Sequence, residues 1–112
     1  NEKLADLPLR TQCCITDAKP SWHIYIIRVD FSQVKLTKKE IFSKMKEKGV
    51  VLNLHYIPVH LQPYYRQLGF KAGDFPISEQ YYHEAITLPL YYDLTDEEQD
   101  EVIEALHAVL IE

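Results

Sequence analysis

The chain has 112 residues, 46% of them hydrophobic and 26% charged, with a formal charge of −5. Such a composition fits one globular domain that buries roughly two-thirds of its unfolded surface and excludes a disordered chain. The acidic balance argues against a surface that tracks nucleic-acid phosphates. No apolar run is long enough for a bilayer, and the opening "NEKLADLPLR" is not a signal peptide.

Residues 1–20 show no clean periodicity and read as a connector ending at Pro20. "EKLADLP" has the form of a helix tail running into the Pro8 break, which is how a piece cut from a longer protein would begin. Cys13 and Cys14 are the only cysteines, and neighbours rarely pair because the peptide between them must distort. Two reduced thiols suit a cytoplasmic protein.

"WHIYIIRV" (22–29) has β-branched and aromatic residues at both parities, which predicts a strand buried on both faces. "TKKE" (37–40) is a capping box opening a helix that buries Ile41, Phe42 and Met45 and stops at Gly49. The lysines around it (Lys35, Lys38, Lys39, Lys44, Lys46, Lys48) read as a solvated helix face. "VVLNLHY" (50–56) has a period of two, which predicts a second strand. Val50, Leu52, Leu54 and Tyr56 would face the core and Val51, Asn53 and His55 the other side. Pro58 ends it.

Pro63 begins a short helix through Leu68, closed by Gly69. Ser78 is a candidate cap for a helix around residues 79–85, and "ITLPLY" (86–91) a candidate third strand interrupted by Pro89. "LTDEEQDEVIEALHAVL" (94–110) predicts the final helix, with Thr95 and Glu98 as a second capping box. Its apolar stripe is Val102, Ile103, Leu106, Val109 and Leu110. Short strands and helices without a Gly-rich phosphate loop predict an α+β domain, a small sheet with helices on one side.

The stretch "NLHYIPVHLQPYYRQLGF" (53–70) concentrates histidine, tyrosine and proline. A metal site is disfavoured: His55 and His60 straddle a strand end and Pro58, and neither cysteine stands at finger spacing from them. A Cys–His nucleophile lacks an activating environment in the connector. The pairs Tyr64–Tyr65 and Tyr81–Tyr82 diverge by about 100° on a helix. Burying both members in a thin domain calls for a covering partner surface, or else the tyrosines are core residues with wet tips.

The order "SWHIYIIRV", "GVVLNLHYIPVHLQPYYRQLG", "GDFPISEQYYHEAITLPLYYDLTDEEQDEVIEAL" resembles the C-terminal small domain of the DegT/DnrJ/EryC1/StrS sugar aminotransferases over residues 20–110. These are pyridoxal-phosphate enzymes of the aspartate-aminotransferase fold. The resemblance implies that residues 1–19 are the connector from a large domain and residues 20–112 the small domain, with a mostly antiparallel sheet. It is strongest toward enzymes that aminate C4 of a UDP-linked 4-keto-6-deoxy-N-acetylhexosamine on the way to pseudaminic acid.

By that resemblance, glutamate gives the amino group and the keto sugar receives it. The pyridoxal 5′-phosphate is held by a lysine and an aspartate of the large domain, and the enzyme is a homodimer. Lys19, Lys71 and the helix lysines are not in that lysine's context, so no catalytic residue is assigned and the isolated segment should be inactive. His55, Tyr56, Ile57 and Pro58 carry over as substrate contacts on the family's "HYIP" segment, with His60 and Asn53 beside them. The competing reading is a free-standing α+β interaction module that binds a protein partner through its tyrosines.

Overall fold

A computed structural model describes residues 1–111 of the chain. The strands β1 (Leu9–Arg10), β2 (Tyr25–Val29) and β3 (Ala85–Leu88) form one antiparallel sheet in the order β1-β2-β3. Ile27 lies opposite Ile86, and Ile26 opposite Thr87. Side chains alternate along a strand, so Tyr25, Ile27, Val29, Ile86 and Leu88 share one face. Ile26, Arg28, Ala85 and Thr87 share the other. On the first face Ile27, Val29, Ile86 and Leu88 join Ile41 and Met45 of α1 (Lys38–Glu47) and Leu106 and Val109 of α4 (Asp96–Leu110) in the core. Each such side chain contributes about 1.5–3 kcal/mol when fully buried. The α+β domain with a small antiparallel sheet and packed helices is therefore what forms.

Local chemistry fixes the helix ends. At α1 the Glu40 N–H donates to Thr37 Oγ1 at 3.3 Å, and the Thr37 N–H donates to Glu40 Oε2 at 2.7 Å. At α4 Thr95 and Glu98 repeat the exchange at 3.1 and 2.9 Å. α1 closes when the Gly49 N–H reaches the Lys46 carbonyl at 3.0 Å and the Val50 N–H the Met45 carbonyl at 2.9 Å. That closure needs a left-handed residue, and Gly49 supplies it at φ +82°.

Several expected elements form differently. Residues 50–56 make no ladder strand: among them only Asn53 pairs, in a single antiparallel bridge to Thr87 on the free edge of β3. Asn53 Oδ1 accepts the Leu54 N–H at 2.7 Å, diverting a donor that a continuing ladder would use. The expected core face holds at Val50 and Leu52 and is lost by Tyr56, which is 74% exposed. The strand expected over 22–29 begins at Tyr25, and Trp22 is exposed.

The helix expected around 79–85 is α3 (Pro76–Glu84), and Ser78 does not cap it. Pro76 at its first position sets the starting φ, while the Glu79 carboxylate serves nearby backbone N–H groups. The strand expected over 86–91 stops at Leu88, because Pro89 cannot donate to a ladder. α2 (Pro63–Gln67) forms as a short helix, with Gly69 left-handed behind it.

The first ten residues are more ordered than their irregular pattern suggests. Leu4 and Leu7 sit in the core, and Leu9–Arg10 lies along β2. His107 Nε2 meets the Lys3 carbonyl at 2.9 Å, and the Lys3 ammonium pairs with Asp100. Both contacts tie this segment to α4.

Candidate functional site

The segment 53–60 is suspended from the stretch that runs through α3 into β3. At its start, the Asn53 N–H donates to the Thr87 carbonyl at 3.0 Å and the Thr87 N–H to the Asn53 carbonyl at 2.9 Å. His55 Nδ1 lies 2.8 Å from Thr87 Oγ1. Thr87 is itself only 5% exposed, so this anchor is shielded from water. The His55 ring is half-buried, and with Nδ1 engaged its remaining polar atom is Nε2.

The ring of Tyr56 stands edge-on to His55 with centroids 4.6 Å apart. The peptide between these two residues is cis. Ile57 is also exposed, while Pro58 is buried behind it. A one-turn 3₁₀ helix, Val59–Leu61, follows. The sequence-predicted contacts therefore form one continuous ledge from Asn53 to Pro58, with an imidazole, a phenol and an aliphatic side chain along it. Such a ledge offers hydrogen bonds and an apolar face to a polar ligand.

His60 has a different setting. It is 7% exposed, its Nε2 lies 2.8 Å from Glu79 Oε1, and its ring tilts against Phe75 at 4.8 Å. Its polar edge is occupied within the fold. Sequence reading missed two residues here, Thr87 and Glu79. Thr87 had a signal, a lone hydroxyl between Ile86 and Leu88 at the opposite parity of a buried strand. Glu79 had none, since its partner stands 19 positions earlier.

Behind the ledge an open apolar groove runs between α1 and α3, lined by Phe42, Leu54, Leu61 and Tyr82 with Lys38 at its edge. Lys38 Nζ donates to the Tyr82 carbonyl at 2.5 Å and lies 4.9 Å from the centre of that ring. Burial pushes this amine down to about 8. On the second sheet face Arg28 pairs with Glu84 at 2.7 Å and lies over Tyr81.

Comparison with known proteins gives this architecture a context. A putative sugar aminotransferase of Streptococcus pneumoniae, Spr1654, superposes in its PLP form with a TM-score of 0.88 at 30% identity. The match covers 98% of this chain and 28% of that one. The aminotransferase PseC of Helicobacter pylori, involved in pseudaminic acid biosynthesis, superposes with a TM-score of 0.85. It covers 98% and 29% of the two chains, and at 23% identity this is a likeness of fold. The class is thus an α+β domain of the kind found in sugar aminotransferases.

Sequence carries the assignment further. The chain belongs to the DegT/DnrJ/EryC1/StrS aminotransferase family, whose model matches residues 1–107. The spore coat polysaccharide biosynthesis protein SpsC of Bacillus subtilis is 36% identical over 96 residues, which are 84% of this chain and 25% of that protein. The chain therefore spans only about a quarter of the length of these relatives, 25% of SpsC and 28% of Spr1654.

The residues described do not suit a bound pyridoxal phosphate. A phosphate is often held at a helix N-terminus, but at α1 and α4 that place is taken by Glu40 and Glu98. Before α3 the Gly73 and Phe75 N–H groups are taken by Glu79. The amine of Lys38 is turned onto the Tyr82 carbonyl. These backbone groups and this amine are already engaged within the fold.

Proposed function

We propose that this chain is the C-terminal small domain of a pyridoxal-phosphate-dependent nucleotide-sugar aminotransferase and that its ledge, residues 53–58, is one wall of the substrate cleft. The observation that carries the reading is the pairing of a rigid anchor with an exposed edge. Asn53 and His55 are bonded to buried Thr87, yet Tyr56 and Ile57, a residue or two further on, face outward. An anchored segment that turns these side chains outward suits a surface that must meet a ligand in fixed geometry.

In this reading His55 Nε2 and the Tyr56 hydroxyl bond the nucleotide-sugar, Ile57 excludes water beside it, and the buried Pro58 backs Ile57. His60 holds the end of the turn. Residues 1–19 lead in from the large domain, which holds the cofactor. The amino donor is glutamate and the acceptor a UDP-linked 4-keto-6-deoxy-N-acetylhexosamine, as in pseudaminic acid biosynthesis. The protein works as a cytoplasmic homodimer. Family membership supports transamination, and the acceptor is the one that the resemblance of residues 53–70 implies. The exposed aromatic residues of α2, Tyr64 and Tyr65, then serve as packing surface for the rest of the protein, which removes the need for a separate interaction module.

The test uses the full-length protein loaded with pyridoxal phosphate. Glutamate should shift the cofactor's absorbance to that of its aminated form, and the UDP-4-keto sugar should return it while yielding a 4-amino sugar. A spectrum unmoved by glutamate, or an aminated form that the keto sugar cannot discharge, would overturn the proposal.

A further inference from the structure

The contacts of Glu79 extend beyond His60. Its Oε1 lies 2.8 Å from His60 Nε2 and accepts the Gly73 N–H at 2.8 Å, while Oε2 accepts the same N–H at 3.0 Å. The Phe75 N–H reaches Oε1 at 3.4 Å. One carboxylate thus fastens the loop before α3 to the His60 ring, two residues past the ledge. The Phe75 ring packs on His60 from the same side.

Thr87, which anchors the other end, lies on the same run of chain. α3 ends at Glu84 and β3 begins at Ala85, so Glu79 and Thr87 belong to one uninterrupted helix-to-strand unit. The ledge is strung between them, from Asn53 and His55 on Thr87 to His60 on Glu79. Tyr56 and Ile57 are the exposed residues at the middle of that span.

We infer that Glu79 is a positioning residue for the nucleotide-sugar wall, setting the placement of Tyr56 and Ile57 from a distance by holding His60 and the 73–75 loop. The inference rests on the proposed role of the ledge. A carboxylate is suited to the task because it accepts from several donors at once, and charge-assisted hydrogen bonds are the stronger kind. A displacement of about 1 Å at a binding surface is enough to cost up to a hundredfold in rate. Loss of this brace should therefore be read at the sugar and not at the amino donor.

The test compares Glu79→Gln and His60→Phe with His55→Ala in the full-length, cofactor-loaded protein. Glu79→Gln keeps the shape but removes an acceptor oxygen, and His60→Phe fills the ring's place without a polar edge. Each should raise the nucleotide-sugar KM by roughly tenfold and leave the glutamate half-reaction as in the wild type. The double variant should be no worse than the poorer single one, since both weaken the one contact between His60 and residue 79. Amide hydrogen exchange should quicken over residues 55–61 in Glu79→Gln while α4 is unchanged.

A wild-type KM in both variants beside a raised one in His55→Ala would overturn the inference and leave the ledge in place. Additive effects of the two variants would overturn the route through His60. Loss of the glutamate half-reaction, or faster exchange throughout, would reduce Glu79 to a general stabiliser. A full-length protein that accepts no nucleotide-sugar would take down the proposed function and this inference together.

Discussion

His55 and Thr87 show how one buried hydroxyl can fix an imidazole at a surface. Replacing Thr87 by valine keeps the volume and removes the oxygen, so Nδ1 of His55 loses its partner. Thr87→Val should cost about 1 kcal/mol of stability by denaturant titration, and should raise the nucleotide-sugar KM in the same direction as His55→Ala. Lys38 gives a second residue-scale prediction. Its amine is lowered from 10.5 to about 8 by burial, so below pH 8 the folded chain carries an ammonium that burial disfavours. The unfolded chain keeps its proton up to about 10.5; between the two values it binds more protons than the folded one, and this group's contribution to stability rises with pH. The advantage of Lys38→Met over the wild type should therefore be greater at pH 7 than at pH 10.5, compared by denaturant midpoints. A difference that is flat across that range would remove the burial argument.

At the scale of elements, the helices with reciprocal caps were legible because their signals are local. Thr37 with Glu40 and Thr95 with Glu98 are three positions apart, and both boxes form. Thr95→Ala should cost roughly 1 kcal/mol, seen as a lower thermal midpoint. The capping carboxylates also set an acid limit. Hydrogen bonds from Thr37 hold Glu40 below its ordinary 4.5, and the Thr95 backbone N–H does the same for Glu98. A depressed folded value stabilises the fold above the unfolded pKa, and that contribution is lost as pH falls through the folded one. The caps' contribution should thus fade once the pH drops below about 4.5, seen by circular dichroism as a shrinking stability difference between the wild type and Glu98→Gln.

Strand pairing was less legible, since it depends on what lies alongside. The alternation of residues 50–56 is real in the sequence, but the edge of β3 offers a register to Asn53 alone. Leu9–Arg10 gives no pattern of its own and is a strand only because β2 has an edge to cover.

Over the whole molecule, the linear order of "HYIPVH", "PYY", "FP" and "LPLY" was enough to point to the family, because those short pieces keep the turns and breaks of one fold in sequence. The brace between His60 and Glu79 was not readable, since nothing at either position announces the other. A domain that leaves Tyr56, Val59, Tyr64, Leu68 and Ile77 exposed has surface suited to being covered. Expressed alone, residues 1–112 should self-associate or bind a hydrophobic dye, by light scattering and fluorescence; a monodisperse, dye-silent domain would contradict that.

The central claim is that this chain meets the sugar and leaves the amino donor to the rest of the protein. The direct measurement is single-turnover absorbance of the full-length protein with His55→Ala, following the glutamate and nucleotide-sugar half-reactions separately. The account predicts an unchanged glutamate step and a nucleotide-sugar step whose half-saturation rises by roughly tenfold. Equal loss in both steps, or no change in either, would contradict it.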